Sequence, residues 1–432
     1  MKYSLIVFCL ILCVNCSGQK EKVKIKNKVE GSGNQKLVTS NQQPATITPG
    51  AERINVYLPL IRGKRVGIFA NHTSTVGNVN LVDTLRKLGV DIKVVFGPEH
   101  GFRGTASAGE KIGNYIDEKT GIPVVSLYGT KRRPDANDLK DVDIMIFDIQ
   151  DVGVRFYTYI SSLQEYMEAA MENSKPLLIL DRPNPNGFYV DGPVLDTAVR
   201  SFVGMQPIPI VYGMTIAEYA FMIAGEKWLT EKANQKYDYY HTANNSVDTP
   251  FHFQVIKCAN YTHKSKYILP VRPSPNLPEI QSIYLYPSTC LFEGTALSEG
   301  RGTDKPFEQF GHPLLPHNLY SFVPTPNEGA KSSKHYYKTC YGWNLHGSPE
   351  EVLKKVNNQV QLKWLMEAYR LFPGKDTFFL KTNSFNRLAG NKILMQQIKD
   401  GVSEEEIRKS WEPALSNFKA IRKKYLLYED FE

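Results

Sequence analysis

VVFGPEHGFRG, residues 94–104, is the stretch that decides the fold. Its apolar beginning is typical of a buried strand, and the Gly-Pro pair ends that strand because proline cannot donate to a sheet ladder. Glu99, His100 and Arg103 follow at once. The ligand crevice of an open α/β sheet lies beyond the carboxyl ends of its strands. The loop is therefore a candidate site, although the same residues would also form an ordinary polar turn.

Strand and helix patterns alternate on both sides of this stretch. Strand patterns cover 65–70, 92–96, 123–128, 142–149 and 177–180, and helical spacing covers 79–88 and 161–173. The alternation predicts an α/β fold, namely a Rossmann-like domain with a mainly parallel sheet. Polar residues follow four of these strands, and we expect them to share one edge of the sheet. They include Asn71, His72, Glu99, His100, Arg103, Asp148, Gln150, Asp151, Arg155, Tyr157, Arg182 and Asn184.

Two later stretches extend the candidate site. RPSPNLP, residues 272–278, contains three prolines, which forbid regular structure and predict an interdomain crossing, a wall of a cleft, or both. Glu299 and Arg301 lie beside glycines in SEGRG, residues 298–302, either as salt-bridge partners or as ligand contacts. The two glycines of that segment would let the backbone approach a ligand closely.

The predicted organisation of the chain has four parts. Residues 1–16 have the pattern of a signal peptide whose apolar run is too short to span a bilayer, and Cys16 lies where a bacterial lipoprotein signal is cut. Residues 17–50 form a lysine-rich, then polar, tether. A Rossmann-like catalytic domain covers 51–268 and a smaller α+β domain covers 269–432, with the active-site cleft between them. We expect a lipoprotein of the bacterial cell envelope or periplasm, with ordinary secretion as the alternative.

Composition excludes several classes of function. The formal net charge is +8, but the tether alone carries six lysines against two glutamates, so the charge does not indicate nucleic-acid binding. The sequence has no nucleotide-binding glycine motif and no metal-ligand spacing, so we expect no cofactor and no metal. Cys258, Cys290 and Cys340 allow one disulfide without indicating a pair.

Carboxylates at strand ends, accompanied by arginines, asparagines and tyrosines, are the composition of a sugar site. Glycosidic cleavage needs a protonated carboxylic acid at the leaving oxygen and usually a second carboxylate. We predict Glu99 as the acid, assisted by His100 and by Asp148 or Asp151. A serine nucleophile is not indicated because its GxSxG elbow is missing.

Ten segments of the chain resemble the exo-β-N-acetylmuramidase family, among them FANHTS (69–74), FGPEHGFRG (96–104), FDIQDVGVRFYTYI (147–160), LDRPNPNG (180–187), RPSPNLP (272–278) and FEGTALSEGRGTDKPFE (292–308). Members of that family remove terminal N-acetylmuramic acid from the non-reducing ends of peptidoglycan fragments. The resemblance implies a Rossmann-like domain, a smaller C-terminal domain and a cleft between them. It also matches the family's proposed catalytic glutamate to Glu99. Tyr212 departs from the pattern, because many relatives have histidine there.

The resemblance implies peptidoglycan-derived oligosaccharides as partners, and it gives the arginines a role. Muramic acid carries a lactyl carboxylate, which a planar guanidinium binds bidentately. We favour Arg155 and Arg301 for that contact, with structural ion pairs as the alternative. The predicted substrate contacts are Asn71, His72, Arg103, Gln150, Arg155, Tyr157, Arg182, Asn184, Arg272, Asn276, Glu299 and Arg301. The rival hypothesis is a non-catalytic lipoprotein that captures muropeptides.

Overall fold

The structure, a computed structural model, describes residues 46–99, 101–104, 113–243 and 253–432. These residues form an α/β domain and then a smaller domain of helices and a short antiparallel sheet. Residues 46–50, which our prediction placed in the tether, contact the α/β domain: Thr48 forms a bridge with Ala259, and Gly50 is buried.

A parallel sheet forms the centre of the N-terminal domain, whose strands are β1 (Arg65–Ala70), β2 (Thr75–Val76), β3 (Val79–Asn80), β4 (Asp91–Gly97), β5 (Tyr115–Ile116), β6 (Pro123–Ser126), β7 (Ile144–Asp148), β8 (Leu177–Leu180) and β9 (Phe253–Ile256). Seven of them form one sheet in the order β5-β6-β4-β1-β7-β8-β9, and β5 alone is antiparallel to its neighbour. The other six, counted along the chain, have the Rossmann order 3-2-1-4-5-6. The predicted fold class is confirmed.

The topology fixes where a ligand binds. The chain runs outward from β1 through β4 to β6 and then crosses to β7 on the other side of β1. The strand order therefore reverses between β1 and β7, and in open α/β sheets the ligand crevice lies at that switch point, beyond the carboxyl ends of the strands. The loops after Ala70 and Asp148 begin there.

Helices cover both faces of the sheet: α1 (Ile54–Ile61), α2 (Leu81–Lys87), α3 (Tyr159–Glu172), α4 (Ile216–Gly225) and α5 (Glu231–Ala243). Successive strand residues point to opposite faces. Ile68 accordingly packs in the core under α1 and α2, whereas Phe69 packs under α3, with its ring 5.2 Å from that of Tyr166. Helix α4 begins with a capping box, in which Thr215 and Glu218 exchange both hydrogen bonds.

The C-terminal domain has a three-stranded antiparallel sheet and most of its helices lie around it: β10 (Gln309–His312), β11 (Tyr320–Phe322), β12 (Cys340–Asn344), α6 (Ile280–Thr289), α7 (Pro349–Val356), α8 (Leu362–Leu371), α9 (Lys375–Phe378), α10 (Ser384–Ala389), α11 (Ile393–Lys399) and α12 (Glu404–Lys423). Helices α7 and α8 are separate because Asn357 adopts a left-handed conformation with φ 50° and ends α7.

Helix α12 joins the two domains. Its residue Trp411 lies in the core of the C-terminal domain, whereas Phe418 lies in the core between the large sheet and α3 and α4. The residues after α12 then bind the N-terminal domain, where Tyr428 donates a hydrogen bond to Asp181 (2.6 Å) and the backbone of Leu427 donates one to Glu218 (2.7 Å). The domains are therefore held together away from the cleft as well as across it.

Candidate active site

A cleft with a cavity of about 180 Å³ lies between the two domains. Residues of the loop after β4 and of the segment leading into α3 form one side, and residues of the C-terminal domain form the other. Four of the predicted site residues line it: Glu99, Tyr157, Asn276 and Arg301. The cavity is smaller than the about 300–1,000 Å³ of typical ligand pockets, which suits a single terminal sugar unit better than a long oligosaccharide.

Glu99 enters the cleft from the loop that follows β4. Tyr128, which follows β6, donates a hydrogen bond of 3.2 Å to Glu99 Oε1. Burial, the charge of Glu99 and this hydrogen bond raise the pKa of Tyr128 to about 12. The phenol therefore stays protonated at neutral pH, and it can donate to Oε1 whether Glu99 is ionised or protonated. Parallel pairing of β4 with β6 brings the two loops together.

Two tyrosines form the wall beside Glu99. Tyr157 and Tyr159 contact each other edge to face with ring centres 4.9 Å apart, and both line the cavity. The hydroxyl of Tyr157 donates to the carbonyl of Pro273, and the hydroxyl of Tyr159 accepts a hydrogen bond from Asn71. Burial, together with the charge of Glu99, raises the pKa of Tyr159. The wall is neutral and aromatic, as a pyranose face requires.

The C-terminal domain contributes an ion-pair network to the opposite side. Arg301 Nη2 lies 2.7 Å from Glu293 Oε1, and both residues line the cavity. Glu299 lies behind them, 3.4 Å from Arg301 Nε and 2.9 Å from Lys334 Nζ. Burial opposes the charge of Arg301, but the two glutamates outweigh it and raise the pKa of Arg301. Burial likewise disfavours the charge of Glu299, but Lys334 and Arg301 outweigh it and lower its pKa.

The proline-rich segment is a wall of the cleft. Ser274, Asn276 and Leu277 line the cavity, and Asn276 is held by a 2.7 Å hydrogen bond from its amide to the carbonyl of Gly329. Residues 274 and 277 form a bridge, so the segment contains a tight turn and is not extended throughout. His72 Nε2 lies 2.9 Å from the carbonyl of Arg272, which ties the loop after β1 to this wall.

The structure does not bring Asp148 or Arg182 to the cleft. Both are buried, and Arg182 binds the carboxylate bidentately with distances of 2.6 and 2.9 Å. Burial raises the pKa of Asp148, and the charge of Arg182 opposes that effect. Arg182 also donates to the carbonyl of Thr75. We therefore correct the prediction that Asp148 assists catalysis and that Arg182 binds substrate, because this pair holds three loops at the sheet edge.

Asp151 lies near the cleft without lining it. Its Oδ2 accepts hydrogen bonds from Tyr212 and from the backbone of Gly153. Its Oδ1 is buried and has no hydrogen-bond partner in the described part of the chain. Burial raises the pKa of Asp151 to about 7. Its charge acts on Tyr157 and Tyr159, which do line the cavity. Tyr212, the departure from the family pattern, is thus a partner of this carboxylate.

Three amide side chains predicted to bind substrate shape loops instead. Asn71 accepts from the backbone and hydroxyl of Thr73, and Gln150 donates to the carbonyls of Asp151 and Pro183. Asn184 donates to the carbonyl of Met214 and is buried. Their polar groups are used inside the protein, so these predictions are corrected to structural roles.

Arg155 is also structural. Its guanidinium is fully buried and donates to the carbonyls of Pro193, Ile208 and Leu388 at 2.7–2.9 Å. Among the described residues it has no carboxylate partner, and burial lowers its pKa to about 9. Because Leu388 belongs to the C-terminal domain, Arg155 ties the two domains together. It does not line the cavity, so the favoured role in carboxylate recognition falls to Arg301.

The remaining predicted contacts lie outside the cavity lining. Arg103 pairs with Asp83 and Asp117, and Arg272 pairs with Glu328 at the surface. Glu299 acts through Arg301. Gly300 and Gly302 have φ values of +82° and +81° and lie against protein backbone, so their role is in the turn and not in close approach to a ligand. His100 and Cys16 lie outside the described residues.

Three further observations concern the described part of the chain. Cys258, Cys290 and Cys340 are buried free thiols. Over the same residues, no cluster of three histidine, cysteine or acidic side chains could hold a metal ion. The described helices are all too short or too polar to cross a bilayer.

Comparisons with known proteins identify the family. The profile of the N-terminal domain of the exo-β-N-acetylmuramidase NamZ matches residues 66–281, and that of its C-terminal domain matches residues 284–428. The chain belongs to the exo-β-N-acetylmuramidase NamZ family. The peptidoglycan β-N-acetylmuramidase NamZ of Bacillus subtilis (strain 168) is 39% identical over 398 residues, which cover 86% of this chain and 89% of that one. The resemblance predicted from the ten segments is confirmed.

Two solved structures have the same fold. A crystal structure of a DUF1343 family protein from Bacteroides fragilis NCTC 9343 is 44% identical, with a TM-score of 0.78 over 89% of this chain and 100% of that one. A second DUF1343 family protein from the same organism is 27% identical, with a TM-score of 0.70 over 89% and 99% of the two chains. Both matches extend over both domains of the described fold.

Sequence reasoning missed one acidic residue of the cleft. Glu293 lies in FEGT, inside a segment that carries the family resemblance, yet Glu299 was chosen instead. Both residues are acidic and close to glycines, so composition does not separate them. The structure does, because Glu293 lines the cavity and Glu299 is buried behind Arg301.

Proposed function

We propose that the chain is an exo-acting glycoside hydrolase that releases terminal β-linked N-acetylmuramic acid from the non-reducing ends of peptidoglycan fragments. Membership of the NamZ family supports the activity. The interdomain cavity is the observation that supports an active site between the two domains. That cavity has a carboxylate on each side, Glu99 and Glu293, and a guanidinium, Arg301.

Hydrolysis needs a proton at the leaving oxygen and stabilisation of the positive charge at the anomeric carbon. Each of the two carboxylates performs one of these functions. Glu99 gives its proton to the leaving oxygen, so the departing sugar leaves as a neutral alcohol. Glu293 stabilises the positive charge that develops at the anomeric carbon. Water adds there, and the proton that it loses passes to one of the two carboxylates, which completes hydrolysis. Arg301 fixes the orientation of Glu293 through their 2.7 Å contact. Tyr128 fixes that of Glu99.

Selection of muramic acid rests on its lactyl carboxylate. Arg301 Nη1 has no hydrogen-bond acceptor among the described residues, whereas Nη2 contacts Glu293. A carboxylate that enters the cavity can therefore bind Arg301 without displacing Glu293. Lys334 supports this by sharing the charge of Glu299, so Arg301 is not fully neutralised from behind. A sugar without the lactyl group lacks this contact.

The proposed location is the bacterial cell envelope. The support is the sequence pattern of residues 1–16 with Cys16 at its end, which favours a lipid anchor and export to the periplasm. The lysine-rich segment that follows would then be the tether between the anchor and the enzyme.

The first test is release of 4-nitrophenol from 4-nitrophenyl β-N-acetylmuramide with a chelator present. The β-N-acetylglucosaminide is the control substrate, and Glu99→Gln is the control variant. We expect turnover of the muramide and not of the glucosaminide. Because 4-nitrophenol leaves readily without protonation, the effect of Glu99→Gln is measured on a disaccharide with N-acetylmuramic acid at its non-reducing end. On that substrate we expect a loss of about 10²–10⁴-fold, the usual contribution of general acid catalysis. Glu293→Gln should reduce turnover as well.

The outcomes test the hydrolytic activity separately from the location of the catalytic groups. Turnover that survives both substitutions keeps the activity but moves the catalytic groups out of this cleft. Absence of turnover in the parent protein, combined with tight binding of muramic acid, favours a capture protein and contradicts the proposed hydrolysis.

A further inference from the structure

A second cavity, of about 580 Å³, lies within the C-terminal domain, away from the carboxylates of the cleft. Helix α8, helix α11 and the start of α12 enclose it. We call it the basic groove, because four cationic side chains line it: Lys363, Arg370, Lys375 and Lys399.

Among the described residues, these cations have no direct ion-pair partner. Within residues 253–432 and the other described ranges, none of the four forms an ion pair with a carboxylate, in contrast to Arg301 in the cleft. Lys375 donates to two carbonyls at the end of α8, a favourable position for a cation, and has no carboxylate partner among the described residues. Two carboxylates also line the groove, Glu367 and Glu404, and Glu404 is already paired with Arg408 at 2.9 Å.

The floor of the groove is apolar and partly aromatic. Met366 and Ile398 line it together with Tyr369, whose ring lies 4.8 Å from Lys375 Nζ. An aromatic ring with a cation beside it suits a sugar that carries a carboxylate, since the ring packs on the pyranose face and the cation binds the acid.

The groove is also connected to the cleft. Tyr369 packs against Phe378 and Phe379, with ring centres 5.1 and 5.7 Å away. Phe379 forms a bridge with Thr295, two residues beyond Glu293. One layer of backbone therefore separates the wall of the groove from the segment that carries a carboxylate of the cleft.

We propose that the basic groove binds a glycan strand through its lactyl carboxylates and so holds the polymer near the cleft. The proposal rests on the proposed function, because the same carboxylated sugar is its substrate. A strand that alternates muramic acid with a neutral sugar presents one carboxylate per disaccharide, and the four cations of the groove offer counter-charges to such carboxylates. Holding the strand raises the local concentration of its ends.

The test measures equilibrium binding of a hexasaccharide that alternates both sugars and begins with N-acetylglucosamine at its non-reducing end. That end has no lactyl group for the cleft, so binding reports on the groove. The variant Lys363→Glu/Lys399→Glu is compared with Lys64→Glu/Lys409→Glu, which makes the same charge change at exposed lysines outside the groove. The neutral chitin hexasaccharide is the second probe.

We expect the groove variant to bind the hexasaccharide about fivefold more weakly or worse, and the control variant to bind as the parent does. Equal affinity in all three proteins overturns the proposal, as does absence of binding to the parent. Chitin that binds as tightly and is lost equally overturns the role of the carboxylates. Turnover of the chromogenic muramide should be unchanged in both variants, and its absence in the parent would refute the proposed function independently of the groove.

Discussion

Replacing Asp148 by asparagine tests whether this aspartate holds the sheet edge together or takes part in catalysis. Asp148 is fully buried, and Arg182 binds both of its oxygens. Asparagine keeps the shape but leaves the guanidinium buried without its counter-charge. Removing one partner of a buried pair costs about 3–5 kcal/mol of the free energy of unfolding.

The melting temperature converts that loss into an observable. An unfolding entropy of about 2.1 cal/mol/K per residue gives about 0.8 kcal/mol/K for the unit from Thr46 to Glu432. Asp148→Asn should therefore lower the midpoint by about 4–6 °C. Asp143→Asn is the matched control at the other end of β7, since Asp143 pairs with Arg65 at the surface. It should change the midpoint by about 1 °C or less.

The assay pairs thermal unfolding with turnover of 4-nitrophenyl β-N-acetylmuramide well below the midpoint. A structural Asp148 predicts a lower midpoint with turnover retained within a few-fold. The double variant Asp148→Asn/Arg182→Met should recover part of the lost stability, because it removes the unpaired charge. An unchanged midpoint with turnover lost by 10²-fold or more would refute the structural role and return Asp148 to catalysis.

Three further predictions follow. Arg301→Met should lower kcat/KM for the muramide by about 10–100-fold, since a hydrogen bond to a charged group contributes about 1.5–3 kcal/mol. Arg301→Lys should retain part of the parent's kcat/KM. Equal kcat/KM in the parent and in Arg301→Met would exclude the lactyl contact. Asp151 has a folded-state pKa of about 7, above its unfolded value, so its ionisation lowers the free energy of unfolding as pH rises from about 4 to 7. Urea unfolding of Asp151→Asn should show a flatter decline of that free energy over the same pH range. A decline as steep as that of the parent would contradict the raised pKa. Gly104→Ala should destabilise more than Gly121→Ala, because both glycines have positive φ but only at Gly104 would a Cβ meet His72 at 2.4 Å; equal melting temperatures would show that the His72 loop moves aside at no cost.

The sequence predicted the fold because its strands have strong local signals. Four of the predicted strands, among them 65–70 and 177–180, are apolar runs ended by polar residues, and the structure places them in parallel. The capping box of Thr215 and Glu218 was equally local. By contrast, residues 253–256 lie outside every predicted strand, although they form β9. The strand β9 is stabilised by its pairing with β8, which no local pattern reveals.

The candidate site was only partly predictable, since the type of a residue does not show whether its side chain faces the cleft or the protein interior. Asp148, Asp151 and Glu99 all follow parallel strands and look alike in the sequence. Their partners differ. Arg182 binds Asp148, and Tyr212 donates a hydrogen bond to Asp151. Tyr128 donates one to Glu99, which lines the cleft.

The sequence by itself therefore determined the Rossmann-like sheet, the edge on which polar loops gather, and the family. Only the tertiary structure decided which charges face the cleft. In that structure Arg155 is buried and donates to three carbonyls. Arg301 and Glu293, which belong to the other domain, line the cleft. The physical reason is that a buried charge must find its partners through long-range packing. One partner of Arg155, Leu388, lies 233 residues away along the chain.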